Sequence, residues 1–307
     1  MFSKLFKNKQ VEEVPQLSPG IRESMMTFLG TRGIPPMPNS AQKAFKLTVD
    51  PNATATDFVE VIESDEALSA RIVKISNSVY FDRGTPSRTI EESVNKIGLN
   101  ELRCLLNANT LPELLPSANP LRAQLWLNDI ATAIFARNIA AMKCPALQGT
   151  AFLGGLMHDI GKLLLLQRLD EDYAKIVKEV QLGEHNFCSA EEEHLPFNHC
   201  QLGQLLAEKW NFGPDLMTII REHHEPWNKL NSNKTNHYLL TTVVKAADII
   251  AHSLGIGHAT GFASFRERNL ENLDEALGNI GIPASQKKSF LERCHIDFES
   301  ESEIYLS

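Results

Sequence analysis

An imidazole and a carboxylate stand side by side in Gly154-Gly155-Leu156-Met157-His158-Asp159-Ile160-Gly161-Lys162, a stretch otherwise apolar enough for the interior of a helical protein. A neutral imidazole nitrogen and an ionised carboxylate are both good donors to a divalent transition metal, and a carboxylate buried without a partner would cost several kcal/mol. The surroundings of Asp159 must therefore supply a partner. Lys162 could do so as an ammonium. A metal ion facing a phosphate could do so as well. His199, the pair His223-His224, and Asp248 set among Ala246, Ala247, Ile249 and Ile250 are other polar residues to account for, and their spacing alone does not tie them to the His158-Asp159 pair. Each has a plainer reading. His223 and His224 fall near a helix end, where a charged imidazole favours the helix dipole. His199 could serve the start of its own helix or bond a neighbouring carboxylate. Asp248 on so apolar a face needs a partner, and a hydrogen-bonded cluster of His158, Asp159 and Asp248 that pins two helices together would supply one without any ion.

The chain that must position these residues is helical in its periodicity almost throughout. Apolar residues recur at spacings of three and four over Ala41–Thr48, Thr56–Glu63, Asp65–Ser76, Thr89–Ile97 and Glu101–Ala108, with Gly98 as a natural stop between the last two. A Pro-rich connection from Leu111 through Pro112, Pro116 and Pro120 divides the pattern into two helical subdomains, about 20–115 and about 120–265. Beyond it, Trp126, Ile130, Ile134, Phe135 and Ile139 form the wide apolar stripe of a core-facing helix. A helix over Thr150–Ile160 carries His158 and Asp159 at its C-terminal end, where Gly161 is expected to release the chain. Helices are also expected over Asp172–Val180, over His199–Trp210 with Asn198 as N-cap, from Pro214 to His224, and over Val243–Ser253 bearing Asp248. Residues 1–19 read as a flexible tail. Residues 266–307 read as an extension, helical over Leu270–Ile280 and Ser285–Cys294 and mobile in the acidic stretch Asp297–Ser307. Strand signals are nearly absent, so the expected class is all-α.

Composition narrows the function. The net charge of -8 and a pI near 5.7 argue against broad binding to a nucleic-acid backbone, which usually needs a basic face. No run approaches the ~18 to 20 apolar residues that span a bilayer, and the start lacks the pattern of a secretory signal, so a cytoplasmic protein without stable membrane insertion is expected. The opening segment with Lys4, Lys7 and Lys9 among Phe2, Leu5 and Phe6 could touch an anionic membrane only weakly, and a frayed terminus is the simpler reading. Cys104, Cys144, Cys188, Cys200 and Cys294 include no C-x-x-C pair to signal a disulfide framework or a thiolate zinc site, and are expected as free thiols. No G-x-S-x-G elbow, P-loop or strand-linked G-x-G-x-x-G is present.

Three blocks in order carry a resemblance. The first is Ile34-Pro35-Pro36-Met37-Pro38, then Asp50-Pro51 and Ile62-Glu63-Ser64-Asp65-Glu66-Ala67-Leu68; the second is Ile75-Ser76-Asn77-Ser78-Val79-Tyr80-Phe81 with Ile97-Gly98; the third is Gly155 to Lys162 with His199-x-x-x-Gly203, Trp210 and His223-His224. Over roughly Ile34 to Ser253 the chain resembles the HDOD proteins, signalling modules related to the HD superfamily of metal-dependent phosphohydrolases. The resemblance implies an all-α, multi-helical HD-like bundle with a regulatory role in bacterial signal transduction. It also implies metal ligands: His158, Asp159 and Asp248 match the family's His-Asp pair and later Asp, and His199, His223 and His224 resemble additional histidines of related phosphodiesterases. The upstream His of active HD enzymes is absent; Asn128, followed by Asp129, stands in its place, and an amide oxygen is a poor substitute for an imidazole nitrogen. His223-His224-Glu225 continues as Pro226-Trp227-Asn228, with no Gly-Tyr-Pro. The expectation is a regulator that binds signalling proteins or a ligand and lacks turnover, its metal site degenerate. One alternative is a phosphohydrolase or cyclic-dinucleotide phosphodiesterase using His158, Asp159, His199, His223, His224 and Asp248 with iron, manganese or zinc. Another is a sensor that binds a cyclic dinucleotide uncleaved. No receiver or diguanylate cyclase domain is attached, so its input is expected from a partner protein.

Overall fold

Side-chain caps set where the helices begin. Thr54 and Asp57 form a capping box, as do Thr89 with Glu92 and Asn198 with Gln201, each satisfying two backbone N–H groups that a helix start leaves unpaired. The computed structural model describes residues 16–306 apart from 38, 51, 82–83, 111–113, 184, 233–234 and 259–262. The basic opening segment around Lys4, Lys7 and Lys9 lies outside the described residues, as do Pro38, Pro51 and Leu111 to Glu113 of the proline-marked stretches.

The described residues fold as helices, with no strand among them. In order these are α1 (Pro19–Leu29), α2 (Asn39–Val49), α3 (Ala55–Glu63), α4 (Glu66–Ser76), α5 (Ile90–Ile97), α6 (Leu99–Thr110), α7 (Leu121–Lys143), α8 (Gln148–Met157), α9 (Ile160–Leu169), α10 (Glu171–Leu182), α11 (Phe187–His194), α12 (His199–Lys209), α13 (Pro214–Glu222), α14 (Trp227–Ser232), α15 (Asn236–Ser253), α16 (Ala263–Asn279) and α17 (Lys287–Leu306). The long helix α7 is the centre of the later half, packed against α8, α15 and α17. Its stripe of Trp126, Ile130, Ile134, Phe135 and Ile139 is buried, as its periodicity requires. The earlier helices reach this half through specific contacts. Trp210 Nε1 donates to the Pro35 carbonyl at 2.9 Å, and Phe45 stacks on Phe212 with ring centroids 4.6 Å apart.

Two expectations are corrected. Gly161 does not release the chain: α8 stops at Met157, His158 and Asp159 form a turn, and α9 starts at Ile160 with Gly161 in its first turn. Gly161 serves close packing instead, because a Cβ there would lie 2.0 Å from the His199 carbonyl oxygen at the start of α12. The acidic C-terminal stretch is not a mobile tail either. It belongs to α17, where Ile304 and Tyr305 are buried and Arg137 of α7 bonds Glu301 and Tyr305. Acidic composition hid an amphipathic helix whose acid is paired.

Candidate metal centre

The α8–α9 turn brings His158 and Asp159 into the interior together. His158 is helical in backbone at φ -55, ψ -36, and Asp159 bends the chain at φ -102, ψ 16. Around them converge the first turn of α12 with His199, the end of α13 with His223, and the middle of α15 with Asp248. His158 Nε2 lies 3.3 Å from Asp159 Oδ2 and 3.5 Å from Asp248 Oδ1. Asp159 Oδ1 lies 3.3 Å from His199 Nε2 and 3.4 Å from His223 Nε2. All of these groups are buried.

Each histidine is held by its other nitrogen. His158 Nδ1 meets the Gly155 carbonyl at 2.7 Å, His223 Nδ1 meets the Ile219 and Ile220 carbonyls at 3.1 and 3.2 Å, and His199 Nδ1 meets Glu191 Oε2 at 2.7 Å. A ring that donates from Nδ1 to a carbonyl or carboxylate presents the Nε2 lone pair inward, which is the posture of a metal-bound histidine. His158 Nε2, Asp159 Oδ1, His223 Nε2 and Asp248 Oδ1 are buried without a well-formed hydrogen bond among the described residues, their nearest polar neighbours being one another and the rings of His199 and His252. Buried polar atoms rarely go unpaired, so these groups are candidate cation ligands; around Asp159, the donor atoms within 4.8 Å of one another are those of Asp129, His158 and Asp159 and those of Asp159, His199, His223 and His224.

Lys162 is the cation seen beside Asp159, its Nζ 2.5 Å from Oδ2 and 3.6 Å above the Phe187 ring centroid. Burial alone would raise the Asp159 carboxyl, but the charges of His158 and Lys162 and the nearby His199 and His223 rings hold it well below the ordinary range. Burial would lower His158, and the carboxylates of Asp159 and Asp248 outweigh it, lifting the ring to about 9. His223, where burial dominates, is pushed down to about 4.

The six residues expected at the site do not play equal parts. His158, Asp159, His223 and Asp248 supply the unpaired donors. His199 is shared, its Nε2 also 3.3 Å from Cys200 Sγ, and His224 is exposed beside it with ring centroids 5.1 Å apart. Asn128 is an outer support: its amide nitrogen lies 3.3 Å from His252 Nδ1, and His252 Nε2 lies 3.1 Å from Asp248 Oδ1. Sequence reasoning missed His252, four residues after Asp248 and thus on the same helix face, and Glu191, which has no sequence spacing to betray it. It passed over Asp129, a carboxylate inside the apolar stripe of α7. Both Asp129 oxygens are buried without a hydrogen bond among the described residues, Oδ1 lying 3.9 Å from His158 Nδ1, and burial lifts its carboxyl well above the ordinary value. A cavity of about 510 Å³ opens beside the centre, lined in part by His223, His224, Asp248, Lys245, Trp227 and Glu275.

Comparison with known proteins places this geometry in context. The sequence model of the HDOD domain matches residues 34–226; Asp248 lies beyond that span, and the fold alone brings it to His158. An uncharacterized protein of Treponema pallidum (strain Nichols) is 28% identical over 194 residues, 62% of this chain and 37% of that protein, so the chain matches little more than a third of that relative's length. Among solved structures, an HDOD domain protein of unknown function from Geobacter sulfurreducens superposes with a TM-score of 0.70 at 20% identity, covering 91% of this chain and 99% of that one. A protein of Shewanella amazonensis SB2B provisionally named a phosphohydrolase gives a TM-score of 0.69 at 22% identity over 94% and 98% of the two chains. One of Marinobacter aquaeolei VT8 provisionally named a signal transduction protein gives 0.63 at 21% identity over 90% and 65%. At such identities the likeness shows the fold.

Proposed function

We propose that this chain, which belongs to the HDOD domain family, is a signal-transduction regulator that works by binding a ligand or partner protein and does not turn over substrate. The observation that carries this reading is Asn128. At the position where hydrolytic relatives place a histidine, the amide is committed to His252 and through it to Asp248. A divalent ion held by His158, Asp159, His223 and Asp248 would supply Lewis-acid charge next to the cavity. In this reading that charge is used to join the α8–α9 turn to α13 and α15 and to attract an anionic group. Lys245, its Nζ 4.7 Å above the Trp227 ring centroid, adds a cation and an aromatic face to the same cavity.

One observation favours hydrolysis as a second reading: the donor atoms of Asp159, His199, His223 and His224 come within 4.8 Å of one another without Asn128, enough for a catalytic ion with an open position. The two separate in one experiment. The protein is purified without chelator, its metal content measured, and its hydrolysis of bis-p-nitrophenyl phosphate and of cyclic dinucleotides followed with added manganese, beside Asp159→Asn with Asp248→Asn. The expected result is a bound ion that the double variant loses, with no hydrolysis above the variant's background. Metal-dependent hydrolysis that the variant abolishes would transfer the assignment to the second reading.

A further inference from the structure

Cys188 and Cys200 take no part in the centre described above, yet the α11–α12 junction brings their Sγ atoms within 4.0 Å of each other. Cys200 is buried in the first turn of α12 and Cys188 is partly exposed on α11. Cys200 Sγ lies 3.3 Å from His199 Nε2, and the donor atoms of Cys188, His199, Cys200 and His224 all fall within 4.8 Å of one another. With Zn–S near ~2.3 Å and Zn–N near ~2.0 Å, a tetrahedral zinc site has donor–donor edges of about 3.3 to 3.8 Å. The sulfur–sulfur and sulfur–nitrogen separations here are close to those edges.

The surroundings support the same geometry. Glu191 fixes His199 twice, accepting from its backbone N–H and its Nδ1 at 2.7 Å each, while Tyr173 donates to the other Glu191 oxygen at 2.7 Å. This carboxylate–imidazole pair is a common outer support of a zinc-bound histidine, and it leaves Nε2 facing the thiols. Two thiolates would cancel the charge of a divalent ion, and the exposed side of His224 gives the ion a way in. We propose that Cys188, His199, Cys200 and His224 form a tetrahedral Cys2His2 site for a soft divalent ion, zinc above all, distinct from the harder centre of His158, Asp159, His223 and Asp248. Filled, it staples α11 to α12 and to the end of α13. It also commits the His199 nitrogen that lies equally near Asp159. The site does not depend on the function proposed above.

Cobalt(II) tests it, because thiolate coordination gives a near-ultraviolet charge-transfer band that oxygen and nitrogen donors do not. The full chain, reduced and stripped of metal, is titrated with cobalt and then with zinc. One equivalent of cobalt should produce the band with intense tetrahedral visible absorption, and zinc should bleach both. Cys188→Ser, at the partly exposed position, should weaken the band, and Cys188→Ser with Cys200→Ser should abolish it while circular dichroism stays helical. Asp159→Asn should keep it, so failure of the harder centre and failure of this site are read separately. Absence of the band in the wild-type protein, its survival in the double cysteine variant, or its loss in Asp159→Asn would overturn the proposal.

Discussion

Lys162 competes with any metal ion for Asp159. Its ammonium is buried against Asp159 Oδ2 and the Phe187 ring, and the Coulomb attraction of Asp159 and Asp248 raises its pKa despite the opposing effect of burial. A divalent ion at Asp159 must share that oxygen or push the ammonium aside. Lys162→Met keeps most of the stem's volume and removes the charge. In the metal-free protein this breaks a buried pair, and the expected destabilisation is about 3 kcal/mol. Manganese should restore more stability to the variant than to the wild type and bind it about tenfold more tightly, the scale on which outer partners tune metal sites. Calorimetric titration and thermal melts with and without manganese read both quantities. Equal affinities would mean that ammonium and ion occupy separate ground, and Lys162 would then be a structural partner alone.

At the scale of elements, the helices were legible where apolar spacing and caps agreed, and the α8–α9 turn was not. His158 and Asp159 have ordinary helical propensity, so nothing local announced that the chain breaks there, while Gly161 looked like the break and is a packing glycine. His158, Asp159 and Asp248 were legible because carboxylates and an imidazole in apolar runs need partners, whereas His199, His223 and His224 were expected only from the resemblance to HDOD and HD proteins. Glu191, Cys188 and Cys200 were missed as site residues because α11 and the start of α12 lie far from the His-Asp pair in sequence and meet it only through tertiary packing, α12 on α9 and Phe187 of α11 under Lys162. That packing is itself testable. A methyl group at Gly161 would press on the backbone of His199, which cannot swing aside as a side chain could. Gly161→Ala should therefore cost about 2 to 3 kcal/mol and displace the His199 ring. Gly149→Ala, on the exposed start of α8 with nothing within 4 Å of the new methyl, is the control and should be neutral or stabilising. Urea denaturation of the two variants reads the difference, and similar midpoints would remove the close approach as a constraint on the site.

Across the whole molecule, Arg137 joins parts of the chain that are remote in sequence. Its guanidinium lies 3.2 Å from Glu101 of α6, bonds Glu301 of α17, and donates to Tyr305 Oη at 3.1 Å, while Tyr305 donates in turn to Glu101. The Tyr305 ring rests beside Phe152 of α8, centroids 5.2 Å apart, two turns before His158. Helix α17 thus packs on α6 and α7 and touches α8, the helix that leads into the candidate metal centre. Removing only the cation leaves two largely buried carboxylates facing each other, so Arg137→Met should cost about 3 kcal/mol. Adding Glu301→Gln removes one stranded charge and should recover part of that loss. Hydrogen exchange distinguishes a local from a global effect: amides of α17 should lose protection in Arg137→Met before those of α12 and α13. If α17 and α13 lose protection together, the helix is an integral part of the core that holds the centre, and the network stabilises the whole bundle and not the docking of its last helix.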